Sequence, residues 1–371
     1  MEKSKDKDKE KSKKEKDDDL SSKKLDKITY ESLWKSIIRP PRDTYSIDEL
    51  GPTLFRFNNI VYTRNDYDVL DFQGNILKLS FIEPIPENRP SDKMPVVIYL
   101  HENCASRIQA LGNKILKICL LKHNINLCCF DFAGSGLSEG QYISLGYHEK
   151  NQVKNVVDFI ERLSGVGNIG LWGRSMGAAT TLLYAPNDKR IKCIVVDSPF
   201  SDFRKLAKEI CKNNVNFSIP SFLIEGAISI IGSTVKSKNG MDINDIKPIN
   251  SVKKCSVPAL FLHAVDDTFV NYEHSEALFK NYSGEIKKLK GIKGGHNGIR
   301  PREIMEEIGE FFAEYLIPDY LDEKLLKNFE NENKKNNKTN INDNINIESN
   351  KKNMGNNNKI KDNKNGKKEE K

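Results

Sequence analysis

The stretch that most constrains how this 371-residue chain can fold runs from Ile169 to Thr181. Its sequence is Ile-Gly-Leu-Trp-Gly-Arg-Ser-Met-Gly-Ala-Ala-Thr-Thr. An apolar run ends abruptly at Gly173, and small and apolar residues then continue at helical spacing as far as Pro186. This pattern predicts a short buried strand, a tight turn carrying Ser175, and a helix. Glycines two residues before and after the serine permit a crowded backbone, and the helix N-terminus favours developing negative charge. An ordinary glycine-rich turn requires neither a strand before it nor a helix after it, whereas both are predicted here. We therefore interpret the stretch as a nucleophile elbow, a sharp strand-to-helix turn that exposes a serine hydroxyl.

The two ends of the chain differ in composition from everything between them. Residues 1–27 contain 11 Lys and 9 acidic residues, and residues 322–371 are rich in Asn, with 13 Lys and 9 acidic residues. Because neither end can bury enough apolar surface to offset its ordering entropy, we expect both to be disordered around a folded domain of residues 28–321. The ends carry +6 of the formal +7 charge, so the basic pI describes them rather than the domain.

Several classes of protein are disfavoured by composition. Acidic residues are mixed with Lys at both ends and no aromatic residues are interleaved, so we expect no nucleic-acid binding. No apolar segment follows a basic start, and no run is long enough to span a bilayer. The seven cysteines are odd in number and several lie in apolar runs, which is typical of buried side chains in a reducing compartment. We therefore expect a cytoplasmic protein, and a peripheral membrane contact through the basic ends or a cap stays open.

Between the ends, strand-like and helix-like patterns alternate. Two runs, residues 68–72 and 76–82, flank Gln-Gly-Asn and predict an antiparallel hairpin. Strands are then expected at 95–101, 126–131, 169–172, 192–197, 257–263 and 285–289, with helices at 105–122, at 147–163 and after Ser175. This alternation predicts right-handed crossovers and a mostly parallel sheet with helices on both faces. Ligands bind such sheets at the carboxyl ends of the strands, where Ser175 would lie.

Residues 214–248 break this alternation. They hold an apolar stretch, Ile219 to Ile231, interrupted by Pro220, Glu225 and Gly226, and then a polar loop. An insertion at this place could lie over the strand ends as a small cap, or it could pack as one more helix on the sheet. The sequence leaves both alternatives open.

An acid and a histidine follow the candidate nucleophile in loops after predicted strands. Asp266 and Asp267 come directly after the strand at 257–263, and either could be the acid, while the other could cap a helix beginning near Glu273. His296 lies in the glycine-rich loop after the last strand, where it has neither a helix to support nor an apolar face to fill. The order serine, aspartate, histidine distinguishes one class of catalytic triad from the two other common orders.

These motifs together resemble the α/β-hydrolase superfamily, and most closely its serine aminopeptidase S33-like and Bem46-like branch. The resemblance covers about residues 68–315 and rests on Asp131-x-x-Gly-x-Gly-x-Ser138, Gly173-Arg-Ser-Met-Gly177, Asp197-Ser-Pro199 and Gly295-His-Asn-x-x-Arg-Pro301.

The resemblance implies particular roles for individual residues. The spacing to Val270 favours Asp267 as the acid, and the backbone amides of Asn103 and Met176 would form the oxyanion hole. No metal or organic cofactor is implied. One position departs from the family pattern, because Glu102 stands where the strand usually ends in His-Gly-Asn. A glutamate there could narrow the backbone geometry or place a carboxylate near the substrate entrance.

The function that this resemblance implies is a serine hydrolase that works through a Ser-His-Asp triad and an acyl-enzyme. Its substrate would be a carboxylic ester or an acyl thioester, borne by a lipid, an acylated protein or a small molecule. The alternative is a catalytically inactive hydrolase scaffold that binds a protein partner, and Glu102 is the feature that favours it. A peptidase is a weaker expectation, and the sequence predicts no oligomeric state.

Overall fold

A computed structural model describes residues 29–112, 114–213 and 220–317 of the chain. The two charged ends, expected to be disordered, and residues 214–219 of the expected cap therefore lie outside the described residues. The described chain forms one nine-stranded sheet in the order β1-β2-β3-β5-β4-β6-β7-β8-β9. Its strands are β1 (Leu54–Phe57), β2 (Ile60–Leu70), β3 (Ile76–Pro84), β4 (Met94–Leu100), β5 (Asn126–Phe130), β6 (Val166–Arg174), β7 (Ile191–Asp197), β8 (Ala259–Ala264) and β9 (Lys287–Ile292).

The first three strands are antiparallel and the others run parallel. Strands β2 and β3 pair from Leu70 and Ile76 outward, which confirms the hairpin expected around Gln-Gly-Asn. Strand β1 adds a second hairpin that the sequence patterns did not predict, and its turn holds Asn58 and Asn59 at positive φ. Two consecutive asparagines between short apolar runs favour that turn, because Asn tolerates the left-handed conformation. The structure thus has the α/β-hydrolase fold expected from the sequence, with one additional antiparallel strand.

Ten helices flank the sheet in the described residues. They are α1 (Tyr30–Ile38), α2 (Ile108–Gly112), α3 (Lys114–Leu121), α4 (Glu149–Ile160), α5 (Met176–Tyr184), α6 (Phe203–Asn213), α7 (Ser221–Asn239), α8 (Pro248–Ser251), α9 (Glu273–Asn281) and α10 (Arg302–Leu316). Within the described chain, none of these helices is both long and apolar enough to cross a bilayer.

Alternate residues of the central strands face two separate hydrophobic cores. In β4, Val96, Ile98 and Leu100 pack with α4 and α5 on one face of the sheet. Val97 and Tyr99 of the same strand pack with α2, α3 and α10 on the other face. Because the side-chain period of a strand is two, a strand buried on both faces must be apolar throughout, as β4 is. This two-sided core fixes the strand ends from which the candidate site residues project.

The sequence patterns predicted no helix between residue 28 and the breaker Pro40-Pro41. Helix α1 lies there and belongs to the fold. The side chain of Thr29 and that of Ser32 form a reciprocal cap at the N-terminus of α1. Trp34 and Ile38, four residues apart on one face of α1, are buried in the larger core. A nine-residue helix next to a charged end has a weak periodic signal, so only its packing reveals it.

Helices α6 and α7, here called the cap segment, lie between β7 and β8. Helix α7 packs against α1 and α6 rather than against a strand of the sheet. Its buried residues are Ile224, Ile228, Gly232 and Val235, which recur at three- and four-residue spacing. An Arg204–Glu225 ion pair with a distance of 2.6 Å joins α6 to α7. The cap segment as named here begins at Phe203 and so includes a helix that precedes the insertion expected at residues 214–248.

We expect α1, but not the charged end before it, to be needed for stability. A chain of residues 28–321 should keep the melting temperature of the full-length protein, because the ends cannot form a core. A chain of residues 41–321 should lose roughly 3 kcal/mol of unfolding free energy through the lost burial of Trp34 and Ile38, and so melt about 5–10 °C lower. Calorimetry on both chains measures the difference, and equal melting temperatures would mean that α1 does not contribute to the core.

Candidate active site

The turn between β6 and α5 holds Ser175 in a strained backbone conformation. Ser175 has φ 50° and ψ −112°, a region that residues with a side chain rarely occupy. The glycines on either side permit the turn by their lack of a side chain. A Cβ atom at Gly173 would collide with the carbonyl of Gly177, and one at Gly177 would collide with the carbonyl of Leu100. The chain therefore approaches itself as closely as expected for a nucleophile elbow.

The structure brings Ser175, His296 and Asp267 together from three loops. The Ser175 Oγ and the His296 Nε2 are 2.9 Å apart. The His296 Nδ1 and the Asp267 Oδ2 are 2.6 Å apart. These loops follow β6, β9 and β8, whose carboxyl ends meet at one edge of the parallel sheet. The predicted site residues thus form a continuous chain of hydrogen bonds although they lie up to 121 residues apart.

The surroundings of Asp267 keep its carboxylate ionised. Burial acts to raise the pKa of Asp267, but hydrogen bonds from His263 and His296, the charge of His296 and the N–H of Val270 together hold that pKa well below its usual range. The N–H groups of Phe269 and Val270 donate to Oδ1 at 2.9 and 2.8 Å. An ionised carboxylate only accepts hydrogen bonds, so His296 must carry its proton on Nδ1. Its Nε2 is then free to accept the hydroxyl proton of Ser175.

Asp266 has a different position and is exposed. Its Oδ2 accepts a hydrogen bond of 3.2 Å from the N–H of Gly294. It does not cap the following helix, contrary to our expectation for the aspartate that is not the acid, because α9 starts after Tyr272 without a side-chain cap. Its contact instead steadies the start of the loop that carries His296.

The loop after β4 lies beside Ser175 and carries one of the expected oxyanion donors. His101 is fully buried and shapes this loop, with Nδ1 donating to the carbonyl of Glu102 at 2.8 Å and Nε2 accepting from the N–H of Phe132 at 3.1 Å. Burial lowers the pKa of His101, so the neutral ring fits both contacts. Asn103 and Met176 line the same cavity as Ser175. The two residues expected to supply the oxyanion donors therefore border the same space as Ser175.

Glu102 points away from that cavity. Its Oε1 accepts from the side chain of Gln109 at 2.6 Å, and its Oε2 lies 3.3 Å from the Nε of Arg174. Arg174 precedes the nucleophile and also donates to the carbonyls of His296 and Gly298 at 3.0 and 3.1 Å. One arginine thus connects the loop of Asn103, the elbow and the histidine loop. Of the two effects considered for Glu102, a carboxylate at the substrate entrance is not what the structure shows.

A second arginine, Arg300, joins the histidine loop to the end of β7. Arg300 forms two hydrogen bonds to the carboxylate of Asp197, at 2.8 and 2.7 Å, and donates to the carbonyl of Gly298 at 3.0 Å. Asp197 in turn accepts a hydrogen bond from the N–H of Ser175 through its carbonyl, at 2.8 Å. The sequence motifs contained Arg174, Asp197 and Arg300 but gave them no role. Charged residues inside motifs at strand ends were the only signal for them.

A largely apolar cavity of about 330 Å³ adjoins Ser175. Its walls come from α1, α6 and α7, together with residues beside the nucleophile such as Asn103, Met176 and Phe269. None of the described residues that line it is charged. Within residues 29–112, 114–213 and 220–317, no group of three or more His, Cys, Asp or Glu side chains is placed to hold a metal ion. The site can therefore hold an apolar group next to a polarised serine.

A profile described as alpha/beta hydrolase fold matches residues 95–218, from β4 through the elbow to the end of α6. In three dimensions the chain is similar to the Pyrococcus furiosus esterase Pf2001, with a TM-score of 0.57 and 22% identity, over 76% of this chain and 98% of the esterase. The chain thus has the α/β-hydrolase fold.

In sequence, the chain is similar to an uncharacterized protein and to a lipase. It is 26% identical to the uncharacterized protein YqkD of Bacillus subtilis, over 63% of this chain and 78% of YqkD. It is 27% identical to the lysophosphatidylserine lipase ABHD12 of Danio rerio, over 54% of this chain and half of the lipase. The chain thus spans only about half the length of the ABHD12 proteins it matches. These relatives support a hydrolase and leave its substrate and its branch within the superfamily open.

The two adjacent aspartates give a direct test of the triad in this chain. Replacing Asp267 by Asn should lower kcat about ten-thousandfold, because His296 then loses the partner that fixes its tautomer and stabilises its cation. Replacing Asp266 by Asn should lower kcat less than about tenfold, because an asparagine oxygen can still accept from Gly294. Both variants are compared on one ester under the same conditions. A larger loss in Asp266→Asn would show that the acid is misassigned.

Glu102 and Arg174 give a second test, of positioning rather than chemistry. Glu102→Gln keeps an acceptor for Gln109 but removes the charge beside Arg174, which should loosen the loop of Asn103. We expect kcat to fall about tenfold with KM nearly unchanged, because oxyanion contacts strengthen in the transition state. The matched control is Glu87→Gln, an exposed acid that precedes β4 at the opposite end of the strand. If both variants keep wild-type kcat, the ion pair does not position the loop.

Proposed function

We propose that this protein is a serine hydrolase that cleaves a carboxylic ester or an acyl thioester. The observation that carries the proposal is the hydrogen-bonded chain from Ser175 through His296 to Asp267, set beside an uncharged cavity. The esterase and lipase names among similar proteins support the same reaction class. We propose the triad itself, the role of each of its three residues, and the acyl character of the substrate.

In the first half of the reaction, His296 takes the hydroxyl proton as Ser175 attacks the substrate carbonyl. Asp267 stabilises the resulting imidazolium, since its carboxylate stays ionised in this environment. The amides of Asn103 and Met176 donate to the oxyanion, and each such donor typically lowers the barrier by roughly 3 kcal/mol. Collapse of the tetrahedral intermediate expels the alcohol or thiol, which receives its proton from His296, and leaves the acyl group on Ser175.

In the second half, a water molecule takes the place of the leaving group. His296 removes a proton from this water as it attacks the acyl-enzyme, and the same two amides stabilise the second oxyanion. The proton then returns from His296 to the Ser175 oxygen as the acid leaves. Ser175, His296 and Asp267 thus end the cycle in their starting protonation states.

The alternative of an inactive scaffold has less support from Glu102 than we expected. The carboxylate of Glu102 pairs with Arg174 instead of entering the cavity. The cavity gives a peptidase no particular support, because the described residues that line it are uncharged and mostly apolar, with Ser36, Asn103, Ser175 and Cys211 as the exceptions. We therefore favour hydrolysis of an ester or thioester with an apolar acyl group over both alternatives.

Labelling with a fluorophosphonate probe tests the proposal without knowledge of the substrate. Such a probe reacts with a serine whose hydroxyl is activated by a general base, so the adduct should map to Ser175 by mass spectrometry. Ser175→Ala should remain unlabelled. Ser138 is an internal control, because its buried hydroxyl already donates to the carbonyl of Asp131 at 2.6 Å. Labelling at Ser135 or Ser138, or none at all, would contradict the proposal.

A further inference from the structure

The cavity beside Ser175 has the character of a site for a hydrocarbon chain. Apart from the groups at the nucleophile, its lining is aliphatic or aromatic, with Ser36 and Cys211 as the exceptions among the described residues. Ligand cavities of this size class recognise small molecules by apolar contact plus a few placed polar groups. Here the polar groups of Ser175, Asn103 and Met176 lie together where an ester carbonyl would bind. The remaining walls would surround the acyl chain of that ester.

The size of the cavity sets a scale for that chain. A methylene group takes about the volume of a water molecule, ~30 Å³, and the cavity measures about 330 Å³. It therefore accommodates about eleven carbons of a single chain. A short acyl group such as acetyl would leave most of the apolar lining without contacts, so it would use little of the available binding energy.

One wall of the cavity comes from outside the sheet and the cap segment. Leu33, Ser36 and Ile37 of α1 lie at three- and four-residue spacing and so share one face of this helix. Leu33 is 38% exposed although it faces an apolar space. Leu33 thus leaves apolar surface exposed in the same cavity as Ser175, and a bound apolar ligand would bury that surface.

The neighbouring face of α1 fixes this wall in place. Trp34 and Ile38 are buried in the core beneath the helix. On the cap side, the hydroxyl of Tyr30 is hydrogen-bonded to Thr234 of α7, and the ammonium group of Lys238 lies 4.5 Å from the ring centroid of Trp34. Helix α1 therefore cannot swing away from the cavity without losing contacts on two sides. A wall held in this way limits how long a chain can be.

We infer that the cavity binds one unbranched acyl chain of medium to long length and that α1, through Ile37, determines the longest chain accepted. The inference rests on the proposed function, because it places the ester carbonyl at Ser175. It adds the substrate class, an ester or thioester of a fatty acid, and a specificity-determining helix that precedes the sheet.

Hydrolysis of p-nitrophenyl esters from two to eighteen carbons tests this inference on the full-length protein. We expect kcat/KM to rise up to about fourfold for each added methylene and to reach a maximum near about eleven carbons. Ile37→Trp should move the maximum to shorter chains by about two carbons, whereas Ile37→Ala should move it to longer chains. Glu31→Trp, which adds equal bulk on the outward face of α1, should keep the wild-type profile. A flat wild-type profile, or identical profiles for all four proteins, would overturn the inference.

Binding of fatty acids to Ser175→Ala separates this inference from the proposed function. Dodecanoate should raise the melting temperature of this variant, butyrate should not, and adding Ile37→Trp should abolish the effect of dodecanoate. If dodecanoate binds in this way but no ester is hydrolysed, the cavity assignment stands and the proposed function fails. If esters are hydrolysed through Ser175 but dodecanoate causes no shift, the proposed function stands and the acyl-chain inference fails.

Discussion

The close approach of β6, α5 and the end of β4 around Ser175 is the constraint on which the site depends. Because two glycines let backbone carbonyls pass where side chains would collide, the serine is forced out of both strand and helix geometry. Its hydroxyl is thereby presented at the edge where the parallel strands end. The energy for holding a strained residue comes from the two-sided core of the sheet, whose strands are buried on both faces.

Around this fixed point two arginines join the loops through ion pairs and hydrogen bonds. Arg174 and Arg300 both donate to carbonyls of the histidine loop, and each is held by a carboxylate, Glu102 or Asp197. A glycine-rich loop has few side chains with which to pack, so hydrogen bonds to its backbone are the available means of fixing it. The replacement of a family glycine by Glu102 fits this arrangement, because it gives Arg174 an acidic partner.

The part of the chain before the sheet serves both the fold and the site. Helix α1 contributes Trp34 and Ile38 to the core and, on the adjoining face, Leu33 and Ile37 to the cavity. Two faces of one short helix thus connect stability to substrate fit. The charged residues that precede it have no comparable apolar content, so we expect the domain to begin close to Thr29, which caps the helix.

The sequence by itself determined the features that depend on local order. The elbow at Ser175, the alternation of strands and helices, and the placing of His296 in a loop after the last strand all follow from residue periodicity and turn chemistry within short windows. The tertiary structure decided what depends on how distant loops meet. It placed Asp267 rather than Asp266 at the histidine, turned Glu102 towards Arg174, and brought α1 over the cavity. Neighbouring residues in a turn point in different directions, and a short helix gains its stability from packing, so none of these three outcomes is encoded in a local pattern.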